Sequence, residues 1–378
     1  MKKNLTISNL APLIIVLSAI IYFWPVVFEN QTIEQDDILM GLAKGREIRE
    51  FRSENSQEPL WTNSMFSGMP TFQIATNYPN NWLSYVQGGI NKILIEKSGI
   101  YIIISLMLGF FALLRAIKVR PSISLIGALA FGFSAFFIIS LGAGHNAKIR
   151  TAVYIAPLLM GVLFTLKGRI WLGFALTALF TGLSIHANHF QITYYTALPI
   201  LTMVISYGVY SFQRGEMNSW AKRCLLLLLA AMLGVGPNFG NLWSSYAYTQ
   251  ESMRGGHSAL TENSQEENSK GLDFDYAMSW SYGIGETVNL FIPNATGGGA
   301  KQNYEGTEIV EVLTNNFSQQ MPLSQATKVA NQYAGSVLYF GDQSLVNGAY
   351  YLGSVVFLFF IIGLFSVRGP LLWGSISA

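Results

Sequence analysis

Apolar runs close to bilayer length constrain this chain more than any other feature. They lie near 10–28, 99–115, 122–141, 151–166, 170–187, 191–210, 224–242 and 349–367, and a ninth starts at 370. A helix needs roughly 20 mostly apolar residues to cross a hydrocarbon core about 30 Å thick. Length alone would suggest two or three soluble domains. That prior fails here, because 51% of the 378 residues are hydrophobic and only 12% are charged. The expected fold is all-α: a polytopic membrane protein, one multi-span transmembrane domain over 1–378.

Charge then sets the orientation. If the first run is an uncleaved span, the turns on one side carry Lys2, Lys3, Arg115, Lys118, Arg120, Lys167, Arg169, Arg214, Lys222, Arg223 and Arg368, with Glu216 as their one acid. Lys and Arg stay cytoplasmic in such proteins, so the N-terminus is expected inside. All acidic residues but Glu216 then fall outside. The run from Leu10 to Phe28 is too long for a signal core and lacks a small-x-small cleavage site. The ninth run reaches only Ala378, so the sequence reads as C-terminally truncated, with eight full spans as a minimum.

The inner turns are short. Two outer segments are long, a first outer loop at 29–98 and a second at 243–348, and loops of that length carry structure or function. In the first, Ile38, Leu42, Ile48 and Phe51 share a face, which predicts a helix along the membrane surface. An aromatic turn from Pro59 to Pro70 follows. In the second, Glu262 to Lys270 is polar, whereas Tyr276 to Pro293 has the aromatic and Gly content of a packed segment. Cys224 is the sole cysteine, so neither an intrachain disulfide nor a cysteine metal cluster can form. No basic nucleic-acid patch is present, and no Walker, Gly-x-Ser-x-Gly or His-Glu-x-x-His motif.

Polar residues that could carry chemistry gather at the outer ends of the spans. Asp36 and Asp37 follow the first span, where a carboxylate can serve as general base or ligate a divalent cation; the competing role for Asp37 is capping a helix that opens at Ile38. His145, Lys148 and Arg150 surround an outer turn that disfavours cations. They suit a lipid-linked phosphate, or else salt bridges to outer acids. His186 and His189, three apart, would share a helix face. Glu251 and Arg254 precede Gly255-Gly256, where backbone N–H groups can approach an anion; a Glu-Arg surface pair is the alternative. Trp280, Tyr282 and Glu286 have the make-up of a sugar-binding lining, with packed loop core as the alternative.

Together these segments resemble the YfhO-like bacterial membrane proteins. The resemblance rests on Gln35-Asp36-Asp37-Ile38, the Pro59–Pro70 stretch, Gly144-His145-Asn146-Ala147-Lys148, His189-Phe190-Gln191-Ile192-Thr193-Tyr194-Tyr195, Glu251 to Gly256, and Trp280-Ser281-Tyr282-Gly283 through Asn294. That family is similar to the GT-C glycosyltransferases, polytopic helix bundles with long outer-face loops. The resemblance implies transfer of a sugar from a polyprenyl-phosphate donor to an envelope glycan, lipid or protein on the outer face of the bacterial cytoplasmic membrane. It implies an acidic base at Asp37, with Asp36 as the alternative. His145, Lys148, Arg150, His189 and Arg254 would bind the donor phosphate. Glu251, Trp280, Tyr282 and Glu286 would hold sugar or acceptor. No cofactor is implied with certainty; a divalent cation stays open. The competing readings are a lipid-linked glycan flippase, or a scaffold of an envelope export complex.

Overall fold

A computed structural model of the protein describes residues 7–75, 80–252, 274–299, 302–343 and 348–369. It is mostly helical, with almost no sheet. In chain order the helices are α1 (Ile7–Tyr22), α2 (Trp24–Phe28), α3 (Asp36–Lys44), α4 (Arg46–Asn55), α5 (Leu83–Ile93), α6 (Ile100–Ala116), α7 (Pro121–Gly132), α8 (Ala135–Ala143) and α9 (Asn146–Val153). Then come α10 (Ile155–Leu166), α11 (Ile170–His186), α12 (Phe190–Gln213), α13 (Met217–Val235), α14 (Phe239–Gln250), α15 (Phe274–Met278), α16 (Glu308–Phe317), α17 (Leu323–Val337) and α18 (Ser354–Ser366). A two-stranded antiparallel hairpin, β1 (Trp61–Thr62) and β2 (Met69–Pro70), pairs Trp61 with Pro70 and Thr62 with Met69.

By its internal contacts the chain divides into two compact units. The first comprises 1–133, 140–245 and 362–378; the second comprises 134–139 and 246–361.

Among the described residues, five helical stretches are long and apolar enough to cross a membrane: Lys97–Ala116, Pro121–Ala143, Asn146–Leu166, Phe190–Gln213 and Met217–Gln250. Ile7–Tyr22, Ile170–His186 and Ser354–Ser366 are apolar but shorter than the expected spans. Pro25 explains the first shortfall, because α1 stops at Tyr22 and a new helix opens with the proline in its first turn. The partial span at 370–378 lies outside the described residues.

Burial sorts these helices. The first two turns of α6, from Ile100 to Met107, are buried on every side, and most of α10 is too. A helix apolar all round belongs in an interior. By contrast α13 exposes Leu225, Leu228, Leu229, Met232 and Leu233, and α12 exposes Leu198, Leu201 and Ile205, as lipid-facing surfaces do. Where α10 meets α11 the side chains are nearly absent: a Cβ on Gly161 would lie 2.7 Å from the Thr177 backbone nitrogen. One on Gly234 of α13 would lie 2.5 Å from the Ala178 carbonyl oxygen. Glycine is what lets these backbones touch, the means by which apolar helices gain packing where no hydrophobic force separates helix from lipid.

Exposed aromatics mark both ends of this unit. Trp24, Phe28, Tyr194, Tyr195 and Trp243 stand at one end of their helices, and Trp171 and Phe212 at the other. Rings at the two limits of an apolar slab fit the headgroup layers. The Trp171 end is also basic. There Lys118 and Lys167 are close enough to interact, and Arg223 donates to the Leu166 carbonyl at 2.7 Å, closing the last turn of α10.

The surface helix expected through Ile38 and Phe51 is two helices, α3 and α4, which meet at Gly45. Of its four apolar residues only Ile48 is buried.

Candidate functional site

The first-unit site is built where α3 and α9 begin. Gln35, not an aspartate, is the N-cap residue of α3, and Asp36 and Asp37 occupy its first turn. This corrects the capping role considered for Asp37. Two carboxylates there complement the positive end of the helix dipole.

Three contacts fix α3 against the turn before α9. The Gln35 side chain, 8% exposed, donates from Nε2 to the Leu141 carbonyl at 2.5 Å and to Asn146 Oδ1 at 3.2 Å. Asn146 Nδ2 returns a hydrogen bond to Gln35 Oε1 at 3.3 Å, so the two amides pair reciprocally. Gly144 completes the joint. Its φ of +86° suits glycine, and an added Cβ would lie 3.1 Å from Asp37 Cβ and 3.2 Å from Gln35 Cβ.

That joint brings His145 to Asp37, with Nε2 3.0 Å from Oδ2. The Asp37 side chain remains 52% exposed, so its other oxygen is open to a ligand. Asp37, His145, Asn146, Lys148, His189 and Gln191, with Gly144 and Ala147, line a cavity of about 410 Å³. Asp36 does not line it. The volume falls in the usual range for small-molecule sites, about 300–1,000 Å³.

Two further candidates part company here. Lys148 and Arg150 are two residues apart, about 200° around a helix, so they point to opposite sides of α9. Lys148 faces the cavity, whereas Arg150 lies close enough to His186 and Tyr154 to interact with both. Its Nε is buried without a hydrogen-bond partner, and it forms no ion pair with a carboxylate among the described residues.

The two histidines separate as well, which corrects the shared helix face. α11 ends at His186 and α12 begins at Phe190, with Asn188 in the left-handed region between them. His186 Nδ1 lies 3.5 Å from Asn81 Nδ2, part of a buried cluster in which Asn81 donates to Asn238 at 2.9 Å. His189 instead joins the cavity. Burial lowers its pKa below the usual histidine value, its own backbone partly opposes this, and the charges of Lys148 and His145 add to the lowering. The ring is therefore neutral at pH 7, and its buried Nδ1 has no hydrogen-bond partner among the described residues.

In the second unit Glu286 is 3% exposed. Its Oε2 accepts from the Gly283 amide at 2.7 Å and, more weakly, the Asp342 amide at 3.4 Å; its Oε1 accepts the Tyr339 hydroxyl. Burial, reinforced by the bond to Glu286, pushes the Tyr339 pKa up to about 12, which keeps it a donor. Gln343 donates from Nε2 to the Trp280 carbonyl at 3.0 Å and from its amide to the Tyr339 hydroxyl at 3.2 Å. Glu286 thus ties the loop at 280–285 to the one at 339–343. Trp280 presents an exposed ring, while half-buried Tyr282 stacks on Tyr350. Glu251 is exposed after α14, and Arg254 lies outside the described residues, as do 262–270.

Among the described residues no group of three His, Cys, Asp or Glu side chains is placed to hold a metal ion. Gln35, Gly144 and Asn146 were not singled out as site residues from the sequence. Their signal was a glycine immediately before His145. No family model matches the chain, and neither the characterised proteins nor the solved structures contain a match to it.

Proposed function

We propose that the protein is a GT-C-like glycosyltransferase of the bacterial cytoplasmic membrane, using a polyprenyl-phosphate sugar at the outer face. The observation that carries this reading is the cavity joining the Asp37 carboxylate to His145, Lys148 and His189 at the N-terminus of α9. The motif resemblance to YfhO-like proteins supports it, and so do the five helices long and apolar enough to cross a membrane.

The cavity residues suit both halves of such a transfer. Asp37 takes the proton of an acceptor hydroxyl as its oxygen bonds to the anomeric carbon. The bond from that carbon to the phosphate oxygen breaks, and the lipid phosphate leaves with the electron pair. One displacement inverts the anomeric centre. Lys148 supplies a charge for the leaving phosphate, neutral His189 a hydrogen bond, and the positive end of the α9 dipole a favourable field. His145 holds Asp37 through one oxygen and leaves the other for the acceptor. The accessibility of Asp37 favours it over Asp36 as the base. Glu286, enclosed by its own loops, acts by shaping the segment that presents Trp280.

The test is mass spectrometry of envelope glycans from a deletion strain carrying wild type, empty vector or Asp37→Asn at matched expression. A sugar restored by wild type and not by Asp37→Asn supports the transferase. Full restoration by Asp37→Asn removes the proposed base, and identical glycans in all three strains move the scaffold reading ahead.

A further inference from the structure

The hairpin between α4 and α5 has a use that the cavity does not explain. Its frame is rigid. The Thr62 hydroxyl donates to Glu47 Oε2, the Asn63 amide donates to the same oxygen at 3.0 Å, and Ser64 Oγ donates to the Lys44 carbonyl at 2.9 Å. Arg52 braces the neighbouring chain through Glu58 at 2.7 Å and the Ala75 carbonyl at 2.7 Å.

On this polar frame the hairpin displays apolar side chains. Leu60 is 83% exposed, Phe66 82% and Trp61 56%. Three successive residues at the turn, Phe66, Ser67 and Gly68, have positive φ values of 50°, 59° and 123°. A bulky residue in that region is strained. The Phe66 ring stands outward from this turn rather than packing into the fold. Gly68 closes the turn against the Trp61 indole, which a Cβ would meet at 2.6 Å.

The base of the hairpin locates it. Just after β2, Gln73 Nε2 lies 3.4 Å from Ser245 Oγ of α14. Ser245 is two residues past Trp243, near the end of the Met217–Gln250 stretch that is apolar enough to cross a membrane. The hairpin therefore sits at the level where a span ends and aromatic side chains meet headgroups. α3, on which Ser64 rests, also exposes Leu39, Met40 and Leu42. Exposed rings on a rigid polar support at that level match a lipid surface, which takes apolar side chains while the polar frame stays wet.

We propose that Leu60, Trp61 and Phe66 form a docking tip that enters the headgroup layer of the bilayer and holds α3, with Asp37 in its first turn, at a fixed height above the membrane. The inference needs only the spans and the hairpin, and it stands whether or not the cavity transfers sugar.

Environment-sensitive labelling tests it. Phe66→Cys in a Cys224→Ser background is labelled with a nitrobenzoxadiazole dye, and the full chain is reconstituted into phosphatidylethanolamine–phosphatidylglycerol vesicles. Exposed Glu54→Cys on α4 is the control, and Leu60→Cys the second probe should Phe66→Cys fail to give a monodisperse protein. A lipid carrying a doxyl group near the headgroup is expected to quench the Phe66 probe roughly threefold more than the Glu54 probe, as suits burial about 5–10 Å deep. Its emission should also shift to the blue. Equal quenching at the two positions, or a blue shift without doxyl quenching, would mean water or protein surrounds the tip and would overturn the proposal.

Discussion

Two carboxylates, Asp37 and Glu286, show how differently one chemical group can be used. Glu286 is buried, and both of its oxygens are taken by backbone amides and a tyrosine hydroxyl. Asp37 is half-exposed and meets one partner, His145, through one oxygen. The first has nothing left to offer a ligand and everything to offer the fold. The second is held by its backbone, through Gly144 and the Gln35–Asn146 pair, so its carboxylate stays available. Accessibility together with independent positioning separates a reactive acid from a structural one.

The contrast is sharpest in Asp37→Asn. On the proposed function, loss of Asp37 as general base should slow sugar transfer roughly 10²–10⁴-fold, while the melting temperature of the purified protein barely moves, because an exposed pair contributes about 0–1 kcal/mol. A large drop in melting temperature would place Asp37 with Glu286. Next in size, Glu286→Ala should destabilise the second unit by about 2–4 kcal/mol, since it strands two amides and a hydroxyl. Limited proteolysis at 280–285 and 339–343 would show it as faster cleavage, and wild-type rates would refute the clamp.

Gly144→Ala should cost about 1–3 kcal/mol through its left-handed backbone and its contact with α3. Activity should fall with it even though Asp37 is intact. If Gly144→Ala transfers sugar at the wild-type rate, the joint is not what positions the carboxylate. The smallest effect concerns pH. Because His189 has a lowered pKa in the fold, the unfolded chain takes up its proton first as pH falls below about 6.5. His189 therefore adds no pH dependence above that value and progressively destabilises the fold below it. Between pH 8 and 5 the melting temperature should fall less in His189→Gln than in wild type.

Most of the helical frame could be read from the sequence, since length and apolar content alone mark a crossing. The breaks inside it were harder. Pro25 and Gly45 interrupt helices whose apolar pattern continues past them. The site was half legible. His145, Lys148 and Asp37 stood out as charges at span ends, but Arg150 was grouped with them although the helical period places it on the other side of α9. The pairing of Gln35 with Asn146 joins residues 111 positions apart, and no local pattern announces such a contact. The bulk of the second unit, 246–361, follows the long polar segment already visible at 243–348, whereas the inclusion of 134–139 is a property of contacts alone.

The Gln35–Leu141 bond, which spans 106 positions, also bears on how the protein is made. Helix α3 leaves the ribosome long before the turn that clamps it, so the nascent chain must carry Asp36 and Asp37 unclamped while five helices, α4 to α8, are still being synthesised. The acidic end of α3 is finished only when the turn before α9 arrives. A chain stalled before that turn would hold the carboxylate without the geometry that the turn imposes on it.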